Sequence, residues 1–201
     1  MQKALRHLKT CDPVLRRVIE QVGPCRIEYR EPSFETLVRS IVFQQLSGNV
    51  ARVIFRRLAE AMPEGGLTPK AILKMREEKM RKLGLSGQKT AYIRDLAKQT
   101  AEGAVDFLSL ASASDDEVIA ALTRVKGVGV WTAQMFLIFA LARPDVLPTG
   151  DLGIRKAMQN AYGLAELPKP PVMEEIAGPW RPYCSVACWY MWRSLDGEAG
   201  I

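Results

Sequence analysis

Histidine is close to absent from this chain, and cysteine is sparse and poorly spaced for metal. His7 is the single imidazole, and Cys11, Cys25, Cys184 and Cys188 offer no C-x-x-C pair, so no zinc site is expected. Also missing is any apolar run of membrane-spanning length, and the opening Met-Gln-Lys-Ala-Leu-Arg-His has no apolar signal core. The protein is therefore expected inside the cell, in a reducing compartment, with no membrane partner. Strand-type alternation is nearly absent, which points to an all-α architecture. Repeats and low-complexity tracts are lacking too.

What is present is a core-forming, basic chain. Its 201 residues are 48% hydrophobic, enough to bury one domain or two closely packed lobes, and its net charge is +6 with a pI near 9.3. Such a balance suits a polyanionic partner without proving one. Helix signals recur throughout. Ser33 can cap a helix whose stripe is Phe34, Leu37, Val38, Ile41 and Val42, and Asn49 opens another with Val50, Val53, Ile54 and Leu58 inward. The loop between them runs from Gln44 to Gly48. Thr68-Pro69 marks a further start, Gln88 to Thr100 reads as a helix stopped by Gly103, and Asp151 to Tyr162 is followed by Gly163. Gly65-Gly66 and Pro168 to Pro171 are the expected flexible joints. Cys184 and Cys188 share one helix face, where buried thiols acting as small apolar groups outweigh a ligand pair.

The most informative stretch lies between Ser114 and Asp151. Ser114-Asp-Asp-Glu117 is a capping-box start, and Val118, Ala121, Leu122 and Val125 recur at helical spacing, so a helix is expected to run into Lys126. Gly127-Val-Gly129 breaks it, and Val130 to Ala142 forms a second apolar helix before Pro144. Glycines let a backbone approach a ligand, and the new helix presents unpaired N–H groups, an arrangement suited to phosphate. The same turn would also serve as a tight corner between packed helices. Beyond it comes Leu147-Pro-Thr-Gly-Asp151, where Asp151 can be a helix N-cap, a functional carboxylate, or both.

Leu122-x-x-Val-x-Gly-Val-Gly-x-Trp-Thr-Ala133 followed by Leu-Pro-x-Gly-Asp151 resembles the helix-hairpin-helix and Gly/Pro-Asp signature of a DNA glycosylase superfamily, specifically its AlkA-type 3-methyladenine DNA glycosylase II branch. Phe43-Gln-Gln-Leu-Ser47, Trp180-Arg-Pro-Tyr183 and Trp192-Arg-Ser194 are similar to the same family. Four blocks stand in the family's order over roughly residues 33 to 196. The resemblance implies an all-α fold of two helical lobes with a cleft between them. A central lobe would span about 45–150 and carry the hairpin unit (114–142); a terminal lobe would combine 1–44 with 151–201. A compact monomer is expected, without the extra N-terminal domain of larger relatives.

The resemblance also implies chemistry. Asp151 becomes the catalytic carboxylate, stabilising positive charge on the sugar and orienting water as an N-glycosidic bond breaks. An alkylated purine such as 3-methyladenine or 7-methylguanine leaves as a neutral base, so no second acid is needed. In relatives that also nick the strand, a lysine stands two residues beyond the second hairpin glycine. Trp131 stands there, implying a monofunctional hydrolase. The base pocket would hold Trp131 and Trp189, with Phe43, Met135 and Leu152; the last two occupy positions where some relatives carry tyrosine. Trp131 also reads as an ordinary core residue, and Trp180, Tyr183 and Trp192 read as packing. Contacts to damaged double-stranded DNA would come from Lys126, Gly127, Val128 and Gly129 and from the loop Gln44, Gln45, Leu46 and Ser47. Leu46 is either the wedge that fills the vacated stack or the last core residue of its helix. Lys126 departs from the family's usual proline. Backbone carbonyls of Thr123, Val125 and Val128 match a Na+ or K+ site in relatives; no other cofactor is implied, and two tail cysteines are too few for an iron–sulfur cluster. Two alternatives remain: a glycosylase for deaminated or mismatched bases, and a non-catalytic helix-hairpin-helix DNA-binding module.

Overall fold

The computed structural model describes residues 1–196, and among them every regular element is helical. In chain order these are α1 (Gln2–Cys11), α2 (Pro13–Val22), α3 (Phe34–Phe43), α4 (Gly48–Glu60), α5 (Pro69–Lys74), α6 (Glu77–Lys82) and α7 (Gly87–Ala101). There follow α8 (Phe107–Ser112), α9 (Asp115–Thr123), α10 (Val130–Phe139), α11 (Leu152–Tyr162), α12 (Pro170–Ala177), a 3-10 turn (Gly178–Trp180) and α13 (Cys184–Asp196). The expected starts at Ser33, Thr68, Ser114 and Asp151 are in place and Ser86 adds another, whereas α4 starts at Gly48 behind Ser47 rather than at Asn49. Ser33, Thr68, Ser86, Ser114 and Asp151 each accept a backbone N–H from the first turn of the helix they precede, and Gly163 takes the left-handed conformation that closes α11.

The described residues form two compact units, Arg30–Leu141 and Met1–Tyr29 with 142–196. In the middle unit α7 is the hub, with α3, α5 and α6 packed on it, α3 also against α4, and α9 against α10. Its core takes Leu37, Val38 and Ile41 from α3, Ile93, Leu96 and Ala97 from α7, and Val118, Leu122, Ala133 and Leu137 from the hairpin helices. In the other unit α13 packs on α2 and α11, and α1 on α2. Asp12 anchors this unit. One carboxylate oxygen caps α2 through Val14 and Leu15, while the other accepts the Tyr162 hydroxyl and the Trp180 indole N–H.

Several expectations are corrected. The α4 stripe facing inward is Ala51, Ile54 and Leu58, whereas Val50 and Val53 point outward; Ala51 supplies an apolar contact that Val50 was expected to make. Pro170 and Pro171 open α12 instead of forming a joint, as fixed proline φ angles allow in a first helical turn. The helix before the hairpin stops at Thr123 rather than Lys126. The helix after it ends at Phe139, where Ala140 and Leu141 both donate back to the Phe136 carbonyl. The units change over near residues 30 and 141, not near 45 and 150. Residues 30–44 join the middle unit because Arg30 bonds Phe139 and α3 packs on α7. Residues 142–150 join the other unit because Ser185 pins them to α13.

Candidate active site and hairpin

The segment carrying Asp151 is held by the start of α13. Ser185 accepts from the Val146 N–H at 3.0 Å, donates its hydroxyl to the Arg143 carbonyl at 2.6 Å, and donates its own N–H to Pro144 at 3.0 Å. Asp145 accepts from the Cys184 N–H and pairs with Arg181 at 3.0 Å. Burial alone would raise the Asp145 carboxyl, but the bonds from Cys184 and Arg181 prevail and hold it below its ordinary range. The turn then closes with the Asp151 N–H on the Pro148 carbonyl at 2.9 Å.

Asp151 itself is only 8% exposed. Its Oδ1 accepts from the Ile154 N–H at 2.7 Å and from the Trp192 indole Nε1 at 2.9 Å. The N-cap and carboxylate readings therefore coexist in one side chain. The N-terminus of α11 favours negative charge at this place, and the indole fixes the carboxylate plane from a second direction. Gly153 makes the approach possible, because a Cβ there would lie 3.0 Å from Asp151 Oδ1 and 3.1 Å from the Trp192 ring. Trp192, expected only to pack, thus touches the carboxylate. Trp189 is buried edge-on against Tyr190, with ring centroids 4.9 Å apart. Trp189 and Trp192 stand three residues apart on α13 and so share one side of that helix. Leu152, next to Asp151 in sequence, is 64% exposed.

In the middle unit the hairpin begins with a complete capping box at Ser114 and Glu117. Beyond Thr123 the turn is knitted by Val125 N–H to Leu122 and Val128 N–H to Val125, both at 3.1 Å, with Val125 and Val128 side chains buried. Gly127 has φ +78° and lies so close to Tyr92 of α7 that a Cβ would sit 2.0 Å from the ring. Gly129 is different: its φ is −92° and a Cβ would meet nothing within 4 Å. Helix α7 braces the turn further. Asp95 accepts the Lys126 N–H at 2.9 Å and Gln99 Nε2 at 2.8 Å, and Gln99 also donates to the Arg124 carbonyl. Lys126, Gly127 and Gly129 are exposed, as is Trp131 at 46%.

The loop expected to meet DNA touches this hairpin. Gln44 Nε2 donates to the Gly127 carbonyl at 2.9 Å and to Thr132 Oγ1 at 3.4 Å, so this nitrogen ties the loop to the hairpin. Gln45, Leu46 and Ser47 are exposed. Leu46, at 38% exposure, is thereby not a core residue of α3. Phe43 is half-buried with the Arg39 guanidinium 4.1 Å from its ring centroid, and Met135 is half-buried on α10. Arg155 of α11 is tied to the Pro168 carbonyl at 3.0 Å. Residues that sequence reasoning passed over are Gly153, Tyr92, Asp95 and Gln99, while Trp192 was expected only to pack. Gly153 alone gave a signal, as a glycine in the first turn of a helix, where a close approach is one reason to lack a side chain.

The family model described as HhH-GPD superfamily base excision DNA repair protein matches residues 38–182. DNA-3-methyladenine glycosylase 1 of Schizosaccharomyces pombe is 34% identical over 200 residues, covering 96% of this chain and 87% of the relative. Among solved structures, the S. pombe 3-methyladenine DNA glycosylase in complex with abasic DNA superposes with a TM-score of 0.85 at 34% identity, covering 96% of this chain and 97% of that one. The DNA-3-methyladenine glycosidase of Bacillus halodurans gives a TM-score of 0.85 at 34% identity, covering 98% and 90%.

Proposed function

Because this chain belongs to the HhH-GPD superfamily of base excision DNA repair proteins, we propose that it is a DNA glycosylase that removes alkylated bases from double-stranded DNA. In this reading it hydrolyses the N-glycosidic bond of 3-methyladenine, 7-methylguanine and similar purines, with no strand-nicking step. The observation that carries it is the Asp151 carboxylate, nearly buried and fixed on one oxygen by Ile154 and Trp192.

Bond cleavage moves positive charge onto the deoxyribose, and a preorganised carboxylate stabilises that charge without having to reorient. Asp151 then orients the attacking water and takes its proton, while the glycosidic electron pair leaves with the purine. A base that carries positive charge before cleavage departs neutral, so no side chain need protonate it. Trp131, 46% exposed, is the proposed aromatic contact for such a cationic base. Beside the carboxylate, the geometry favours Trp192 over the buried Trp189 as the aromatic partner. The absence of an amine at Trp131 supports hydrolysis over Schiff-base chemistry.

DNA binding is assigned to the hairpin's exposed Lys126, Gly127 and Gly129 and to the N-terminus of α10, with Val128 buried as the anchor of the turn. The loop Gln45, Leu46 and Ser47 faces outward, and Leu46 is the proposed wedge that fills the stack when the target is flipped. Carbonyls of Thr123, Val125 and Val128 lie at the C-terminal end of α9 and in the turn beyond it. Neutral oxygens at the negative end of a helix dipole fit a monovalent cation, which would supply charge against a DNA phosphate. Val125's carbonyl already accepts one N–H and, as a carbonyl, keeps a second lone pair for a cation.

The test compares wild type with Asp151→Asn on methylated duplex DNA, measuring base release and DNA affinity together. Wild type is expected to free 3-methyladenine or 7-methylguanine, and the variant to bind DNA but release base at least about 100-fold more slowly, in line with loss of an electrostatic stabiliser. Binding by both proteins without release from either would reject the alkylated-purine assignment.

A further inference from the structure

Helix α7 reaches two places at once. Its Tyr92, Asp95 and Gln99 side chains brace the hairpin turn, and one turn earlier Lys89 reaches the other way. The Lys89 ammonium donates to the Val42 carbonyl and to the Gln44 carbonyl, each at 2.6 Å. These are carbonyls of the last turn of α3 and of its cap, the negative end of that helix. Burial of the ammonium pushes its pKa down, a cost that two short charge-assisted bonds offset.

The loop so gripped is held only weakly by its own backbone. The Gln44 N–H to Ile41 and the Leu46 N–H to Phe43 are both long at 3.4 Å, and Gln45 adopts φ +56°, the left-handed region that a non-glycine residue disfavours. A strained residue persists where its surroundings over-determine it. Here the surroundings are Lys89 on the Gln44 carbonyl and the Gly127 carbonyl on the Gln44 side chain. Lys89, Gln44 and Gly127 thus form a continuous chain from α7 through the loop to the hairpin.

We infer that Lys89 is a positioning residue for the 44–47 loop: by clamping the Val42 and Gln44 carbonyls it holds Leu46 outward in register with the hairpin, ready to enter a DNA stack. The inference rests on the function proposed above but concerns loop geometry, not base chemistry. A loop released from the clamp would still sit on a basic protein that binds DNA. It would lose the preset presentation that makes stack entry efficient.

The experiment uses the whole protein and duplex DNA with 2-aminopurine beside a stable abasic-site analogue, so that unstacking is read as fluorescence without any base release. Wild type is expected to raise the fluorescence. Lys89→Met is expected to bind undamaged duplex with unchanged affinity and salt dependence, yet to lose most of the rise, while Lys89→Arg, which retains donors for both carbonyls, restores it. On methylated DNA, Lys89→Met is expected to slow excision of a paired lesion roughly 10- to 100-fold, the scale of a lost charged hydrogen bond. A lesion in an unpaired bulge, which needs little wedging, should be affected less than about threefold on the same scale. Equal losses on paired and bulged lesions, or an unchanged fluorescence rise, would overturn the role. If Lys89→Met does not fold, Lys89→Gln, which keeps a donor for one carbonyl, is read by the same criteria. A wild type that unstacks the probe but frees no base defeats the glycosylase reading alone, since the fluorescence arm still decides Lys89.

Discussion

At Asp151, one oxygen accepts two donors, and the side-chain donor of Trp192 can be removed without touching the carboxylate. Trp192→Phe keeps an aromatic ring beside Asp151 but deletes the 2.9 Å bond. We expect base release to fall about 10-fold or somewhat more, as for a hydrogen bond to a charged group, with DNA affinity unchanged. Single-turnover kinetics would check this, and an unaltered rate would mean that the Trp192 bond does not set the orientation of the carboxylate. Gly153→Ala is expected to be worse for catalysis than for folding, because its Cβ would press at 3.0 Å on Asp151 Oδ1 and 3.1 Å on the indole. Asp151 was legible in the sequence because Leu-Pro-Thr-Gly-Asp151 is contiguous. Trp192 was not, because a hydrogen bond between positions 151 and 192 leaves no local pattern, and a tryptophan in an apolar helix looks like core.

The hairpin's two glycines look alike in sequence and differ in the folded element. Gly127 has a positive φ and the Tyr92 ring at its back; Gly129 has neither constraint. Gly127→Ala is accordingly expected to lower thermal stability and DNA affinity together. Gly129→Ala should leave the melting temperature within a degree or two, since surface changes away from strained sites are nearly neutral. Any loss of DNA affinity in Gly129→Ala then reports the approach of a phosphate, and a full wild-type affinity would show that the backbone at Gly129 is not that close to DNA. Capping signals read the helix starts well, because Ser33, Thr68 and Ser114 act within three residues of themselves. The inward face of α4 was misread. Val50 and Ala51 are adjacent and both apolar, so periodicity could not say which of them the core would accept.

Across the whole molecule, stability depends on neutral groups buried away from water. Burial raises the Cys184 and Cys188 thiols, with Asp145 adding to the first and Cys184 to the second. Burial and then Asp12 raise the Tyr162 phenol, and burial lifts Tyr190 to about 12. In the unfolded chain these groups ionise near about 8.5 for thiols and about 10 for phenols. A folded pKa above the unfolded one means that stability is intact below the unfolded value and is lost as pH climbs toward the folded one. The melting temperature is therefore expected to hold near pH 7.5 and to fall by several degrees by pH 10.5; a flat profile would contradict this. The Asp12 network is a second global test. Asp12→Ala removes the cap of α2 and strands the Tyr162 hydroxyl and Trp180 N–H. Urea denaturation should show a loss of about 2 to 5 kcal/mol, from one buried unsatisfied donor at Trp180, a half-buried one at Tyr162 and one lost cap.

The sequence alone determined what is set by near neighbours: helix starts from capping residues, the break at Gly127-Val-Gly129, the isolated Asp151, the basic balance and, through contiguous blocks, the family. Those features are encoded over a few residues, where local sterics and hydrogen bonding decide. Only the tertiary structure decided which side chains serve them across long stretches of chain. Trp192 and Gly153 frame the carboxylate, Tyr92 and Asp95 back the hairpin, and Lys89 and Gln44 tie a loop to a turn more than eighty residues away. Such contacts depend on how helices pack, and packing follows from side-chain volume and burial summed over the whole unit, which no short window of sequence contains.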